Sequence, residues 1–279
     1  HCAERFGFVW VSLAEHAPDL DAHLAPLAAE LARYRPQDYR PVHAHQIAVE
    51  ANWKTSVDVN NEGYHLPTLH PELLDLVDAR AASFSTHGDH SAIALPIGRP
   101  THRVNQSERI TPALQSLLKQ LGVDHFPADA TIADAPTIIA RSVRARASRI
   151  GWDLGAFTDD DLARKQQVHV FPNVQLNFLP FSLELYRHRP HPTDPNRCWF
   201  DELSFIRPEQ SPPPTPHRRQ FRHGEHDLGP VMGADVDLLP RLQAGMNSRG
   251  FTELRLTADE PGIAHMHAVL ERWLAEARV

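Results

Sequence analysis

Apolar and polar positions follow two rhythms along the 279 residues. Residues 6–13, 43–49, 93–97, 168–178, 183–188 and 198–206 carry the alternating or mixed apolar pattern of strands. Residues 20–31 place Leu20, Leu24, Leu27 and Leu31 at helical spacing, and residues 111–121, 235–246 and 263–277 read as further helices. Pro112 suits the opening turn of the second of these, and Gly122 its end. Residues 136–147 are ambiguous. Their Arg141, Arg144 and Arg146, with Arg149 beyond, suit a surface for an anionic substrate or, more commonly, a solvated helix face. The stretch from 71 to about 91 is polar and irregular. The last three strands read as an antiparallel meander with turn chemistry over 190–196. The SPPPTP run at 211–216 must be a loop, since proline donates nothing to a sheet ladder. Antiparallel strands beside long helices, with few parallel crossovers, make the expected fold class α+β.

Composition narrows the function classes. With 42% hydrophobic and 23% charged residues, the chain reads as one large globular domain over 1–279. A net charge of −7 argues against nucleic acid as a partner. No apolar run reaches the ~20 residues that a bilayer requires, so no membrane is expected. Two cysteines, Cys2 and Cys198, make no disulfide framework and suit a reducing cytoplasm.

Candidate chemistry concentrates in residues 52–70, NWKTSVDVNNEGYHLPTLH. Two imidazoles, His65 and His70, and the carboxylate of Glu62 are donors that borderline divalent iron accepts. Glu62 and His65 share a helix face if residues 52–64 are helical. His65 and His70 do not, because five residues turn a helix by about 140°. Pro67 disfavours helical geometry at Leu66, so the helix should end there and a loop should carry His70 back. The bland alternative is a helix end whose histidines cap carbonyls or lie in solvent. A HExxH zinc-protease motif is absent, and EGYH is the only ExxH string where a di-iron bundle needs two.

The wording around the pair goes further. Asn-Trp-Lys at 52–54, Glu-Gly-Tyr-His at 62–65 and His-Pro at 70–71 resemble the mononuclear-iron segment of Rieske non-haem iron oxygenases, in the alpha-subunit catalytic domain. FGFVWVSL at 6–13, VFPNVQLNF at 170–178, ELYRHRPHPTDPNRCWF at 184–200, GADVDLLPRLQAGMNSRGF at 233–251 and EPGIAHMHAVLERWL at 260–274 extend the resemblance in the same order. It implies a helix-grip fold (Bet v 1-like or START-like), with a curved antiparallel sheet around long helices. It also implies that His65 and His70 ligate iron with a third, aspartate ligand about two turns before a glutamine. Asp235 lies eight residues before Gln243 and Asp237 six, and the family spacing favours Asp235. A helix N-cap is the competing role for either aspartate. Glu62 matches the acid that orients an iron-bound histidine and passes electrons from a neighbouring subunit's cluster. Tyr64 is expected to pack beside the site, and Trp53 to pack in the core.

By the same resemblance, Fe(II) activates O2 beside an aromatic or other hydrophobic substrate, giving mono- or cis-dihydroxylation or demethylation. Electrons come from NAD(P)H through a reductase or ferredoxin and a Rieske [2Fe–2S] cluster. That cluster's C-x-H and C-x-x-H strings do not occur here, so the chain is expected to be a catalytic domain served by a cluster outside it, in cis or in trans. A homotrimer is the family's usual assembly. Two other functions stay open: a redox-inactive helix-grip ligand-binding protein, and a zinc-dependent hydrolase using the same ligands.

Overall fold

The computed structural model describes residues 1–101, 108–120, 123, 126–127, 129–209 and 215–276. Gly122, Ala277 and most of the proline-rich loop lie outside the described residues. The first expected strand is in fact a hairpin. Phe6 and Gly7 both take positive φ, 54° and 79°, the backbone of a two-residue type I′ turn. Cys2–Arg5 (β1) therefore folds back on Phe8–Val11 (β2), with Arg5 opposite Phe8. The single helix expected over 20–31 is likewise divided. Pro26 lacks the N–H of a continuous ladder, so a 3-10 turn at Ala25–Leu27 separates Leu20–Leu24 (α1) from Ala28–Tyr34 (α2).

Eight strands form the main sheet: Arg40–Val49 (β3), Ser83–His87 (β4), His90–Pro96 (β5), Arg164–Val170 (β6), Val174–Leu179 (β7), Ser182–Pro190 (β8), Cys198–Ile206 (β9) and His217–Phe221 (β10). Their order is β10-β3-β9-β8-β7-β6-β5-β4, antiparallel throughout except for the parallel β10–β3 pair. The strand expected over 168–178 reverses between β6 and β7, where Pro172 cannot continue a ladder. β4 falls inside the stretch read as irregular, and β10 was not expected at all. The remaining helices are Trp53–Val59 (α3), Leu66–Leu69 (α4), Pro112–Gln120 (α5), Ala135–Arg149 (α6), Asp159–Leu162 (α7), Pro230–Met246 (α8) and Pro261–Glu276 (α9).

The sheet register separates two faces. Ala92, Val168, Leu176, Leu185 and Leu203 stand opposite one another on one face. Most of them join the largest core cluster, with Leu24, Leu27 and Leu31 and with Ile139 and Val143 of α6. That buried side resolves the ambiguity over 136–147 in favour of a helix. Two of its arginines are tethered: Arg144 donates to Asp159 (2.9 Å) and to the Phe157 carbonyl (2.8 Å), and Arg146 pairs with Glu209. The other face carries α3, α8 and α9. Ile47, Tyr186 and Phe200 pack there on Val236 and Leu239 of α8, while Val57 of α3 packs on Met266 and Val269 of α9, with Trp53 partly buried beside both groups. Each fully buried aliphatic side chain stabilises the fold by roughly 1.5–3 kcal/mol relative to exposure. A large, mostly antiparallel sheet holding long helices is the α+β, helix-grip-like architecture expected. No helix among the described residues is long and apolar enough to cross a membrane.

Candidate metal centre

Asn52 starts α3 by accepting the Lys54 N–H on its side chain at 3.0 Å. The helix stops at Val59, five residues short of the expected 64, for tertiary reasons. Gln167 of β6 and Gln175 of β7 both donate to the Asn60 carbonyl, the latter at 3.1 Å. Asn61 is buried and donates to the Gly262 carbonyl of α9 at 2.8 Å. Glu62 and His65 therefore meet across a turn and not along a helix face. Glu62 accepts the backbone N–H groups of Tyr64 and His65 on one oxygen and engages His65 Nδ1 with the other.

Pro67 begins an element where it was expected to end one. It sits in the first turn of α4, whose N-cap is His65 and whose C-cap is His70. One short turn thus carries both histidines, with ring centroids 5.3 Å apart and planes at 77°. Tyr64 does not pack beside the site. It is 59% exposed, because the turn points it outward.

Asp235 comes from the middle of α8, whose N-cap is Gly229, so it caps nothing. Its Oδ1 lies 2.8 Å from His70 Nε2 and 3.6 Å from His65 Nε2. One ligand atom from each of His65, His70 and Asp235 lies within 4.8 Å of the others. Asp237 is 61% exposed at its side chain and pairs with His226 at 3.2 Å. Gln243, the residue that set the spacing, is an anchor. Its Oε1 accepts the Asn52 N–H at 2.8 Å and its Nε2 donates to Asn196 at 3.0 Å, which pins α8 to the start of α3.

The electrostatics of the group suit a cation. Burial pushes the Asp235 carboxyl above its usual range, against the opposing pull of His65 and His70. Burial pulls the His65 imidazolium down, but the hydrogen bond to Glu62 and the charges of Glu62 and Asp235 outweigh it and raise it. Among the described residues, His70 Nδ1 is buried without a hydrogen-bond partner, and the nearest carboxylate oxygen, of Glu72, is 3.7 Å away. Two imidazoles and a buried carboxylate are a donor set for iron or zinc.

Three further groups escaped the sequence reading. Asp58 accepts His267 Nε2 on both oxygens at 3.0 Å, tying α3 to α9. Gln175 also accepts from His188 Nε2 (3.0 Å), whose Nδ1 meets Ser56 (2.8 Å). Asn177 shares the sheet face of Gln167 and Gln175, and both its amide atoms are buried and, among the described residues, unpaired. The run QQVHVFPNVQLNF does place these polar residues at alternate positions, the one signal that would have put them on a common face. Cavities of about 700 and 460 Å³ lie elsewhere, and none of the three clustered residues lines either.

Residues 36–276 match a protein family described as ring hydroxylating alpha subunit (catalytic domain). Over 69 residues the chain is 41% identical to the glycine betaine monooxygenase oxygenase subunit of Chromohalobacter salexigens, covering 25% of this chain and 16% of that protein. Over 83 residues it is 35% identical to the subunit of the same name from Pseudomonas aeruginosa, covering 27% and 19%. The fold resembles the quaternary ammonium Rieske monooxygenase CntA in complex with L-carnitine, with a TM-score of 0.60 and 16% identity over 98% of this chain and 60% of that one. It also resembles naphthalene 1,2-dioxygenase with indole bound, with a TM-score of 0.57 and 11% identity over 97% and 63%. The chain thus spans about three-fifths of these solved chains, and its matches cover less than a fifth of the curated relatives.

Proposed function

The chain belongs to the ring-hydroxylating oxygenase alpha-subunit family, in its catalytic domain, and on that premise we propose that His65, His70 and Asp235 hold one Fe(II). The carrying observation is the convergence of both histidine Nε2 atoms on Asp235 Oδ1. Bound there, Fe(II) supplies the redox chemistry that activates dioxygen. The chain's own residues do the rest. Glu62 accepts a hydrogen bond from His65 Nδ1–H, which leaves the Nε2 lone pair directed at the centre and fixes the ring. Glu62 is also the point at which electrons enter from a Rieske [2Fe–2S] cluster, in another domain or a neighbouring subunit, charged from NAD(P)H by a reductase. Gln243 and the Asn60–Asn61 contacts hold the two ligand-bearing segments in register. A cytoplasmic setting suits the two free cysteines.

The substrate is a compact polar molecule in preference to the aromatic or hydrophobic compound expected from sequence. Supporting this, Lys165, Asn177 and Glu184 stand on the sheet face toward α3 and α8. The unpaired Asn177 amide offers both a donor and an acceptor there. Relatives named for glycine betaine make a quaternary ammonium carboxylate the first candidate, and monooxygenation with loss of a methyl group the first reaction to test. Family membership does not favour the zinc hydrolase or the redox-inactive binding protein.

The test is anaerobic Fe(II) loading followed by metal analysis of the wild type, His65→Ala and Asp235→Ala. One iron per chain more in the wild type than in either variant, with circular dichroism unchanged, supports the centre. An iron content in both variants equal to that of the wild type overturns it. Calorimetry of the loaded protein against glycine betaine and indole then decides substrate polarity, with tighter indole binding refuting the polar reading.

A further inference from the structure

We infer that His43, His45 and Glu202 form a second metal site, distinct from the His65–His70–Asp235 centre, for a borderline divalent cation such as zinc. His43 and His45 are two apart on β3, so both side chains leave the same face of the sheet. Glu202 of β9 stands directly opposite His45 in the register, and Ser204 opposite His43. One ligand atom from each of the three lies within 4.8 Å of the others.

Glu202 is buried, and Ser204 Oγ donates to its Oε1 at 2.9 Å, which fixes the carboxylate. His43 Nε2 lies 3.0 and 2.9 Å from the two Glu202 oxygens. His45 Nδ1 lies 3.2 Å from Oε2 at an angle that makes no hydrogen bond, and among the described residues it is buried without a hydrogen-bond partner. The two rings stack at 4.4 Å with planes 12° apart, and Phe221 closes the far side of His45 edge-on at 5.4 Å. A simple His43–Glu202 ion pair accounts for the first contact and leaves the His45 lone pair stranded. A cation shared by all three satisfies it.

The distances agree with a metal polyhedron. Zinc bonds to nitrogen and oxygen of about 2.0–2.1 Å give tetrahedral edges of about 3.3 Å. Both nitrogen-to-carboxylate separations, 2.9 and 3.2 Å, are within a few tenths of that edge. The remaining edge, between the imidazoles, needs a rotation of His43, whose side chain is 32% exposed. Arg219 stands opposite His45 on β10, but its charge is paired with Asp227. A metal here would clamp β3 to β9 beside the edge strand β10, across the sheet from the strands that hold Asn60.

The test uses the full chain carrying His65→Ala and Asp235→Ala, which removes the first centre. After chelation the protein is titrated with Co2+, read by visible absorption, and with Zn2+, read by metal analysis after gel filtration. One equivalent of tetrahedral Co2+, displaced by Zn2+, is expected, and adding His45→Ala should weaken binding at least tenfold. Glu202→Gln, which keeps the volume of the buried side chain, should do the same. No stoichiometric binding in the first-centre variant, or binding unchanged by His45→Ala and Glu202→Gln, overturns the site. Because that titration is made without the first centre, failure of the wild type to bind Fe(II) leaves its outcome unaffected.

Discussion

Acidification should destabilise this fold through His188, by an amount the structure fixes. The imidazole is fully buried, with its Nε2 facing Gln175 and its Nδ1 facing Ser56. A neutral ring with hydrogen on Nε2 satisfies both partners. Burial, with a contribution from His169, pushes its pKa down from 6.5 to about 3. At pH 5 the unfolded chain therefore protonates this residue and the folded chain does not, so stability falls as pH drops below 6.5 and keeps falling toward 3. Between pH 7.5 and 5 the loss is about 1.5 units at 1.36 kcal/mol each, or about 2 kcal/mol. His65 and His267, both raised, act in the opposite direction, holding stability at low pH that is lost as pH rises through their folded values. Urea denaturation of the wild type and of His188→Gln at pH 7.5 and 5 cancels those common contributions. His188→Gln should be less stable at both pH values, yet lose about 2 kcal/mol less than the wild type on acidification. Equal losses in the two proteins would refute the buried neutral state of His188.

Two other substitutions probe how the centre is held. A Cβ added at Gly262 would lie 2.2 Å from the Asn61 carbonyl, so Gly262→Ala should cost about 1–3 kcal/mol and lower Fe(II) affinity, and an unchanged melting temperature would remove that contact from the argument. Glu62→Gln removes the charged partner of His65 while keeping its shape, and should weaken Fe(II) binding by about 10–100-fold in an anaerobic competition with a chelator. Wild-type affinity in that variant would mean that something else orients the His65 ring.

The strands at 183–188 and 198–206 were legible because alternating apolar side chains fill opposite faces of a central sheet, and their pattern survives in β8 and β9. β4 and β10 were not, because edge strands bury too little to need that alternation. SFSTH and HRRQF are mostly solvent-facing. The hairpin at Phe6–Gly7 was hidden for another reason: a phenylalanine at φ 54° is a backbone choice that hydrophobicity does not encode.

At the candidate centre the same division runs between which residues cluster and how they are brought together. His65, His70 and Asp235 were singled out through the resemblance and its spacing between an aspartate and a glutamine, and in the structure that glutamine, Gln243, bonds Asn52 and locks α8 to α3. The path of residues 60–65 could not be read locally. α3 ends at Val59 because Gln167 and Gln175, more than 100 residues away, capture the Asn60 carbonyl, and because α9 brings Gly262 against Asn61. Local helix propensity favours continuing through Asn60 and Asn61 only weakly, so these contacts decide the outcome. The turn they impose is what lets Glu62 reach back to His65 and cap its backbone at once. Keeping the three clustered residues while removing the sheet glutamines or Gly262 would preserve the donors and lose the shape. The geometry of this centre is therefore a property of β6, β7 and α9 as much as of the segment that carries the histidines.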